Sequence, residues 1–239
     1  MGGYDTSVQL TQSLQSSAVN KYGTPNYGIR YFPPSPAATT LDVHPFLECD
    51  AIWDSGAKHL SPISEPDQTN LGMDSAQGHA DAQTFINTMV NVWTNVGPLT
   101  FPTGGTLYSF LGQENSTHLS SGYWSGWASY VNGFVLNGSS PFFASLYCTP
   151  GQGNSCTVIQ AASGASACFI VWSAEVENST SCRGTLTNPP SWNATFCSGI
   201  STNLWQFAEK GACGLTVDID MDLSNMNFPN FCFYLKSRP

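Results

Sequence analysis

Apolar residues along this chain fall into short runs, several of them followed by a stretch with helical spacing. The strand-like runs lie at 3–6, 26–32, 59–65, 106–114, 141–148, 167–175, 203–207 and 215–221. Helix-like stretches lie between several of them, at 11–21, 41–53, 74–93 and 121–134. In the third, Ala82, Phe85, Met89, Val92 and Trp93 recur at helical spacing behind Asp74, a residue type suited to cap a helix N-terminus. In the fourth, Trp124, Trp127 and Val131 share one stripe, which reads most simply as a core-facing side. The last strand-like run alternates: Leu215, Val217, Ile219 and Met221 on one face, Thr216, Asp218 and Asp220 on the other.

Strands that alternate with helices imply parallel pairing through crossover helices. Eight such units in 239 residues predict an α/β fold, a single (β/α)8 TIM-type barrel spanning residues 1–239. An open doubly wound sheet is the second choice. Its usual glycine-rich phosphate loop is missing after the first strand, where the chain reads Tyr4-Asp5-Thr6-Ser7. After Cys168 the pattern becomes irregular, and disulfide-tied loops are expected to replace full helices there.

Composition narrows the class. Apolar residues make up 41% and charged residues only 10%, so a large core is available and disorder is excluded. A net charge of −9 with seven Lys plus Arg leaves no basic face for nucleic acid or an anionic membrane. No apolar run is long enough to span a bilayer, and the Met-Gly-Gly start reads as a mature form with an added initiator. Eight cysteines without a Cys-x-x-Cys pair argue for disulfides and a secreted protein rather than a zinc site. Cys148–Cys156 and Cys182–Cys197 are plausible local pairs among about 105 possible connectivities.

In a barrel of this kind the active site forms at the C-terminal strand ends. The expected strand ends are Asp5, Tyr31, Glu65, Glu114, Tyr147, Glu175, Gln206 and Asp220, and five of these eight are acids from a total of 16. Alternation in the last strand sends Asp218 and Asp220 towards the barrel axis, with Arg30 a candidate partner for Asp218. Paired carboxylates are the machinery of glycoside hydrolysis: one protonates the leaving oxygen while the other attacks or activates water. Glu114 is the first choice for the acid, since it ends the apolar run Leu107–Leu111. Asp5, Glu65, Glu175 and Asp220 are its possible partners. Tyr31, Trp172 and Trp205 lie near strand ends, where aromatic rings stack on sugar faces.

The run Tyr4-Asp5-Thr6-Ser7, then Tyr27-Gly28-Ile29-Arg30-Tyr31, then Leu204-Trp205-Gln206 before Val217-Asp218-Ile219-Asp220 resembles the glycoside-hydrolase-like barrel domain DUF1906, a relative of the GH25 muramidases. The segment from Gly72 to Ala82 resembles that group's third helix. The resemblance covers nearly the whole chain in order. It implies a (β/α)8-type barrel that hydrolyses a cell-wall or other polysaccharide; Gln206 is a candidate substrate-binding residue from its strand-end position. In GH25 enzymes the fourth strand ends in Asp-x-Glu. Here that position reads Gly112-Gln113-Glu114, so the resemblance carries the acid onto Glu114 and leaves its Asp partner replaced by glycine. Asp5 and Asp218 match the family's acids at the first and last strands.

Other chemistries find less support. No Gly-x-Ser-x-Gly elbow is present for a serine hydrolase. The four histidines lack metal-ligand spacing, and Asp218, Asp220 and Asp222 lack the glycine and distal Glu of an EF-hand loop. No metal and no cofactor is expected, and a monomer is. The alternative to a hydrolase is a non-catalytic carbohydrate-binding or cell-wall-associated barrel, in keeping with the glycine at position 112.

Overall fold

The structure is a computed structural model, and it describes residues 1–6, 11–32, 34, 45–57, 59–90, 99–100, 107–114, 118–138, 140–150, 153–176, 184–194, 197–208, 219–225 and 233–235. Eight strands close into a barrel: β1 (Gly2–Asp5), β2 (Tyr27–Phe32), β3 (His59–Ser64), β5 (Leu107–Gln113), β6 (Phe142–Cys148), β7 (Val171–Ser173), β8 (Thr202–Ala208) and β9 (Asp220–Ser224). Around the barrel the order is β2-β1-β9-β8-β7-β6-β5-β3, and a β2–β3 pairing joins the ends. Two short strands, β4 (Leu99–Thr100) and β10 (Phe233–Leu235), attach antiparallel beside β3.

Among the described residues five α-helices accompany the strands: α1 (Gln12–Tyr22), α2 (Pro45–Asp54), α3 (Ser75–Thr88), α4 (Ser121–Gly133) and α5 (Ser155–Ala161). The first four fall where periodicity predicts them. Asp74 caps α3 as expected, its carboxylate accepting from the amides of Ala76 at 3.0 Å and Gln77 at 3.2 Å. The expected 74–93 helix ends by regular α-geometry at Thr88, and Val92 and Trp93 lie outside the described residues. α5 has no counterpart in the sequence reading. It is only seven residues long, too short for helical periodicity to stand out.

The single barrel is thus confirmed, but it is not all parallel. β9 runs antiparallel to both of its neighbours, β1 and β8. Of the expected last strand at 215–221, residues 215–218, Asp218 among them, lie outside the described residues, and the described strand runs over Asp220–Ser224. Alternation survives the reversal. Ile219, Met221 and Leu223 join the outer core beneath the helices, and Asp220 and Asp222 take the inward face.

Apolar packing falls into two layers. The outer one, between strands and helices, holds Phe32, Leu60, Leu111, Leu146, Phe85, Trp124 and Trp127 among others. The inner one fills the barrel with Tyr27, Ile29, Phe110, Ile170, Trp172 and Leu204. The closest helix pair is α3 with α4, where glycines set the separation. A Cβ at Gly78 would lie 2.1 Å from the Tyr123 carbonyl oxygen, and one at Gly126 would lie 2.0 Å from that of Ser75.

Neither expected cysteine pair is found. Cys156 on α5 bonds Cys197 across a sequence separation of 41, with Cα atoms 5.3 Å apart. Cys148 points into the outer core as a free thiol. Its place on a barrel strand is fixed by the ladder, so sequence proximity to Cys156 does not bring the two together. Cys182 lies outside the described residues.

Candidate active site

The barrel directs side chains by strict alternation, and this decides which acids meet. On β1, Tyr4 packs outward, so Asp5 faces in. Opposite it stands Asp220, its Cα partner across the antiparallel ladder, while Asp222 pairs with Gly3 one step deeper. Because β9 is reversed, its N-terminal end lies at the same mouth as the C-terminal ends of the parallel strands. Tyr31 on β2 and Tyr147 on β6 also face inward. Glu65 and Glu114 follow β3 and β5, in register with the inward-facing Ile63 and Gly112.

Hydrogen bonds tie these groups together. Gln206 is central: its Nε2 donates to Asp220 Oδ2 at 2.8 Å and reaches Asp5 Oδ2 at 3.5 Å. Its Oε1 accepts from the Tyr147 hydroxyl at 2.8 Å. Trp172 Nε1 donates to Asp222 Oδ1 at 2.9 Å. On the far side the Tyr31 hydroxyl donates to Glu114 Oε1 at 3.2 Å. Gln68 clamps the rim, accepting from the Glu114 amide at 3.0 Å and donating to the Gly112 carbonyl at 3.2 Å.

Two carboxyl pairs result, and each shares a proton. Asp5 and Asp222 are fully buried side by side. With both ionised, Asp222 Oδ2 would have no donor. A proton on Asp5 is donated to the Asp222 carboxylate. Burial first, then the charges of Asp222, Asp220 and Glu114, hold the Asp5 carboxyl well above the usual range. Asp222 is pushed up too, by burial and the Asp220 charge, although hydrogen bonds from Asp5 and Trp172 oppose the shift. In the second pair Glu65 donates to the Glu114 carboxylate. Burial, then the charge and hydrogen bond of Glu114, raise Glu65 to about 8. The tyrosines Tyr31 and Tyr147 are raised well above 10 by burial and the surrounding carboxylates, so they remain hydroxyl donors.

The acids expected from sequence therefore divide. Asp5, Glu65, Glu114 and Asp220 come together at the mouth. Glu175 does not. Ala174 takes the inward position, and the Glu175 carboxylate accepts from the outward-facing Ser173 hydroxyl at 2.9 Å. Trp205 is a second correction: the reversal of side at each residue places it in the outer core, against Trp192 and Phe207. Its Nε1 donates to the Glu175 carbonyl at 2.8 Å, which leaves no face for a sugar. Trp172 faces in but is wholly buried, so it orients Asp222 rather than stacking. Arg30 lies on the outward parity of β2 and donates to the Thr6 carbonyl.

Sequence reasoning missed Asp222 and Gln68, and it placed Tyr147 at a strand end without giving it a role. The signal for Asp222 was present, since alternation continues through Met221 and Leu223. No group of three or more His, Cys, Asp or Glu among the described residues is arranged to hold a metal ion.

Among solved structures the chain is similar to an uncharacterized protein of B. stearothermophilus, with a TM-score of 0.74 at 16% identity over 97% of this chain and 99% of that one. It is also similar to the Tat-secreted protein Rv2525c of Mycobacterium tuberculosis, solved with HEPES and with L-tartrate. Both of those matches have a TM-score of 0.55, at 12% and 13% identity, over 97% of this chain and 98% of that one. The likeness is one of fold and extends over the whole barrel. No family model and no curated protein matches the chain. No helix among the described residues is long and apolar enough to cross a membrane.

Proposed function

We propose that this chain is a secreted glycoside hydrolase acting on a cell-wall or extracellular polysaccharide, of the kind its resemblance to DUF1906 and the GH25 muramidases implies. The observation that carries the reading is the Glu65–Glu114 pair at the barrel mouth, where one carboxyl stays protonated near neutral pH against the carboxylate of the other. A carboxyl kept protonated there is what leaving-group protonation requires. The Cys156–Cys197 disulfide and the secreted status of the mycobacterial structural relative support an extracellular setting.

The roles follow from contact and exposure. Glu65 and Glu114 together form the acid: Glu65 carries the proton, Glu114 accepts it in a hydrogen bond until the leaving oxygen takes it, and the new negative charge then rests on Glu65. Two carboxyls in hydrogen-bond contact are closer than the roughly 5–5.5 Å that separates acid from nucleophile in a retaining enzyme. The second carboxylate must therefore come from across the mouth. Asp220 fits that role, since it is half-buried while Asp5 and Asp222 are sealed below it. Gln206 orients Asp220, and Tyr31 orients Glu114.

The test is release of reducing ends from a panel of β-glucans, chitin, peptidoglycan and galactosaminoglycans. Glu65→Gln, Glu114→Gln and Asp220→Asn should each lower release by about 100-fold or more, the scale of general acid–base catalysis, with glycan binding retained. A second reading, a carbohydrate-binding barrel without turnover, is favoured by Gly112, which puts no side chain between Glu65 and Tyr147 on the inner wall. Binding without release by the unsubstituted protein would establish that reading and overturn the first.

A further inference from the structure

The two glutamates of the mouth follow different strands, and the pairing of β3 with β5 runs only to Ser64 and Leu111. Beyond it, the Gly112 carbonyl needs a donor and the Glu114 amide needs an acceptor. In a parallel ladder one residue of the neighbouring strand meets both needs, through its own N–H and C=O. Continued by two residues, the register would put Pro66 opposite Gln113 in that role. Proline has no N–H to give, so the backbone ladder stops directly after Glu65.

Gln68 supplies the missing peptide from its side chain. Its Oε1 accepts from the Glu114 amide at 3.0 Å, and its Nε2 donates to the Gly112 carbonyl at 3.2 Å. Nε2 also donates to the Pro66 carbonyl at 3.2 Å. Only one orientation of the amide satisfies these partners. Turned over, it would aim its oxygen at two carbonyls and its NH2 group at an N–H. A single carboxamide thereby ties the backbone next to Glu65 to the backbone of Glu114.

The turn that presents Gln68 is seated independently of the mouth. Gln68 opens a short 3-10 helix, Gln68–Gly72, capped by Asp67, whose carboxylate accepts from the Thr69 amide at 2.9 Å and hydroxyl at 2.7 Å. Leu71 is fully buried, and its carbonyl accepts at 2.8 Å from the amide of Ser120, the residue that caps α4. The half-buried Gln68 side chain thus reaches the rim from a fixed base.

We propose that Gln68 is the positioning residue of the Glu65–Glu114 pair: its carboxamide replaces the peptide that Pro66 interrupts and sets how the two carboxyl groups face each other. The consequence for turnover rests on the hydrolase reading, whereas the effect on the pair does not. Without the clamp the Glu114 backbone is released from Glu65, and the hydrogen bond between the two carboxyls is lost. Glu65 remains buried but gives up its proton at lower pH.

The experiment uses the full chain, isotope-labelled at its glutamate carboxyl groups and titrated by NMR. Unsubstituted protein should show Glu65 releasing its proton at about pH 8. In Gln68→Leu that midpoint should fall by about one pH unit or more, and exchange of the Glu114 amide hydrogen should quicken by about 10-fold or more. Gln68→Asn keeps an amide but is one methylene too short to span the gap, so it should show the same fall. Thr69→Ala removes a hydroxyl bond from the same 3-10 helix and should leave the Glu65 midpoint in place. An unmoved midpoint in both Gln68 variants would overturn the proposal. So would an equal fall in Thr69→Ala, which would assign the effect to the turn rather than to the carboxamide. In reducing-end release, Gln68→Leu should lower kcat by about 10-fold or more with KM little changed, and a change confined to KM would count against positioning. Absence of release from the unsubstituted protein, with the Glu65 midpoint still shifted in Gln68→Leu, would strike the hydrolase reading and leave the role of Gln68 standing.

Discussion

Glu65 sits where burial and an adjacent charge act in the same direction on one carboxyl. Its ordinary value of 4.5 is raised to about 8, with burial the larger cause and Glu114 the second. If the protonated form is the acid, kcat/KM should fall as pH rises through about 8, because the donor is then lost. Glu114→Gln removes the neighbouring charge while burial remains. In whatever activity that variant retains, the alkaline limb should move to lower pH without returning to the unperturbed carboxylate range. A pH profile of the two proteins reads this directly, and an unmoved limb would separate Glu114 from the proton on Glu65. The same residues show what one strand reveals in advance. Asp5, Glu65 and Glu114 were legible because each stands at or just past the C-terminal end of a strand, whereas Asp220 reaches the mouth as the first residue of the reversed β9. Glu175 and Trp205 were misread because a single step in register turns a side chain from the barrel axis to the helices. A three-residue strand such as β7 fixes that step too weakly in the sequence.

At the level of elements, helical periodicity located α1 to α4 well, since each must bury one face against the strands. The direction of β9 was not legible, because alternation of Asp and apolar residues reads the same from either end. What reversal changes is which end reaches the mouth, and that is how Asp222 enters the site beside Asp5. Disulfide pairing was equally hidden, since Cys156 and Cys197 meet through folding across a separation of 41. The α3–α4 contact supplies a prediction of its own. Gly78 brings the α3 backbone against the Tyr123 carbonyl, where an added Cβ would stand at 2.1 Å. No side chain can rotate aside, because the obstacle is backbone. Gly78→Ala should therefore cost about 1–3 kcal/mol of stability, the scale of overpacking, despite alanine's better helix propensity. Chemical denaturation checks it. Gly133→Ala is the control, for nothing lies within 4 Å of a Cβ there, and it should be neutral or stabilising.

For the whole molecule, the raised carboxyls link the site to stability. Asp5, Glu65 and Asp222 all have folded values above their ordinary ones. Between the two values the native protein keeps protons that the unfolded chain has already released. Stability must then fall as pH rises across that window. The window opens near the ordinary values of 3.8 and 4.5, and for Glu65 it closes at about 8. The thermal midpoint should accordingly drop from about pH 5 to about pH 9, the reverse of a protein held together by ion-paired carboxylates. Net charge of −9 pushes the same way by general repulsion, so the trend alone does not isolate the site. Paired single variants do. Glu65→Gln removes a carboxyl whose folded value is raised, and it should flatten the decline. Asp67→Asn removes one that is fully exposed and lowered by hydrogen bonds from the Thr69 hydroxyl and amide. It takes away the same unit of charge and should leave the decline above about pH 5 in place. Equal slopes in the two variants would assign the pH dependence to overall charge, and a flatter slope in Glu65→Gln alone assigns it to the proton held at the barrel mouth.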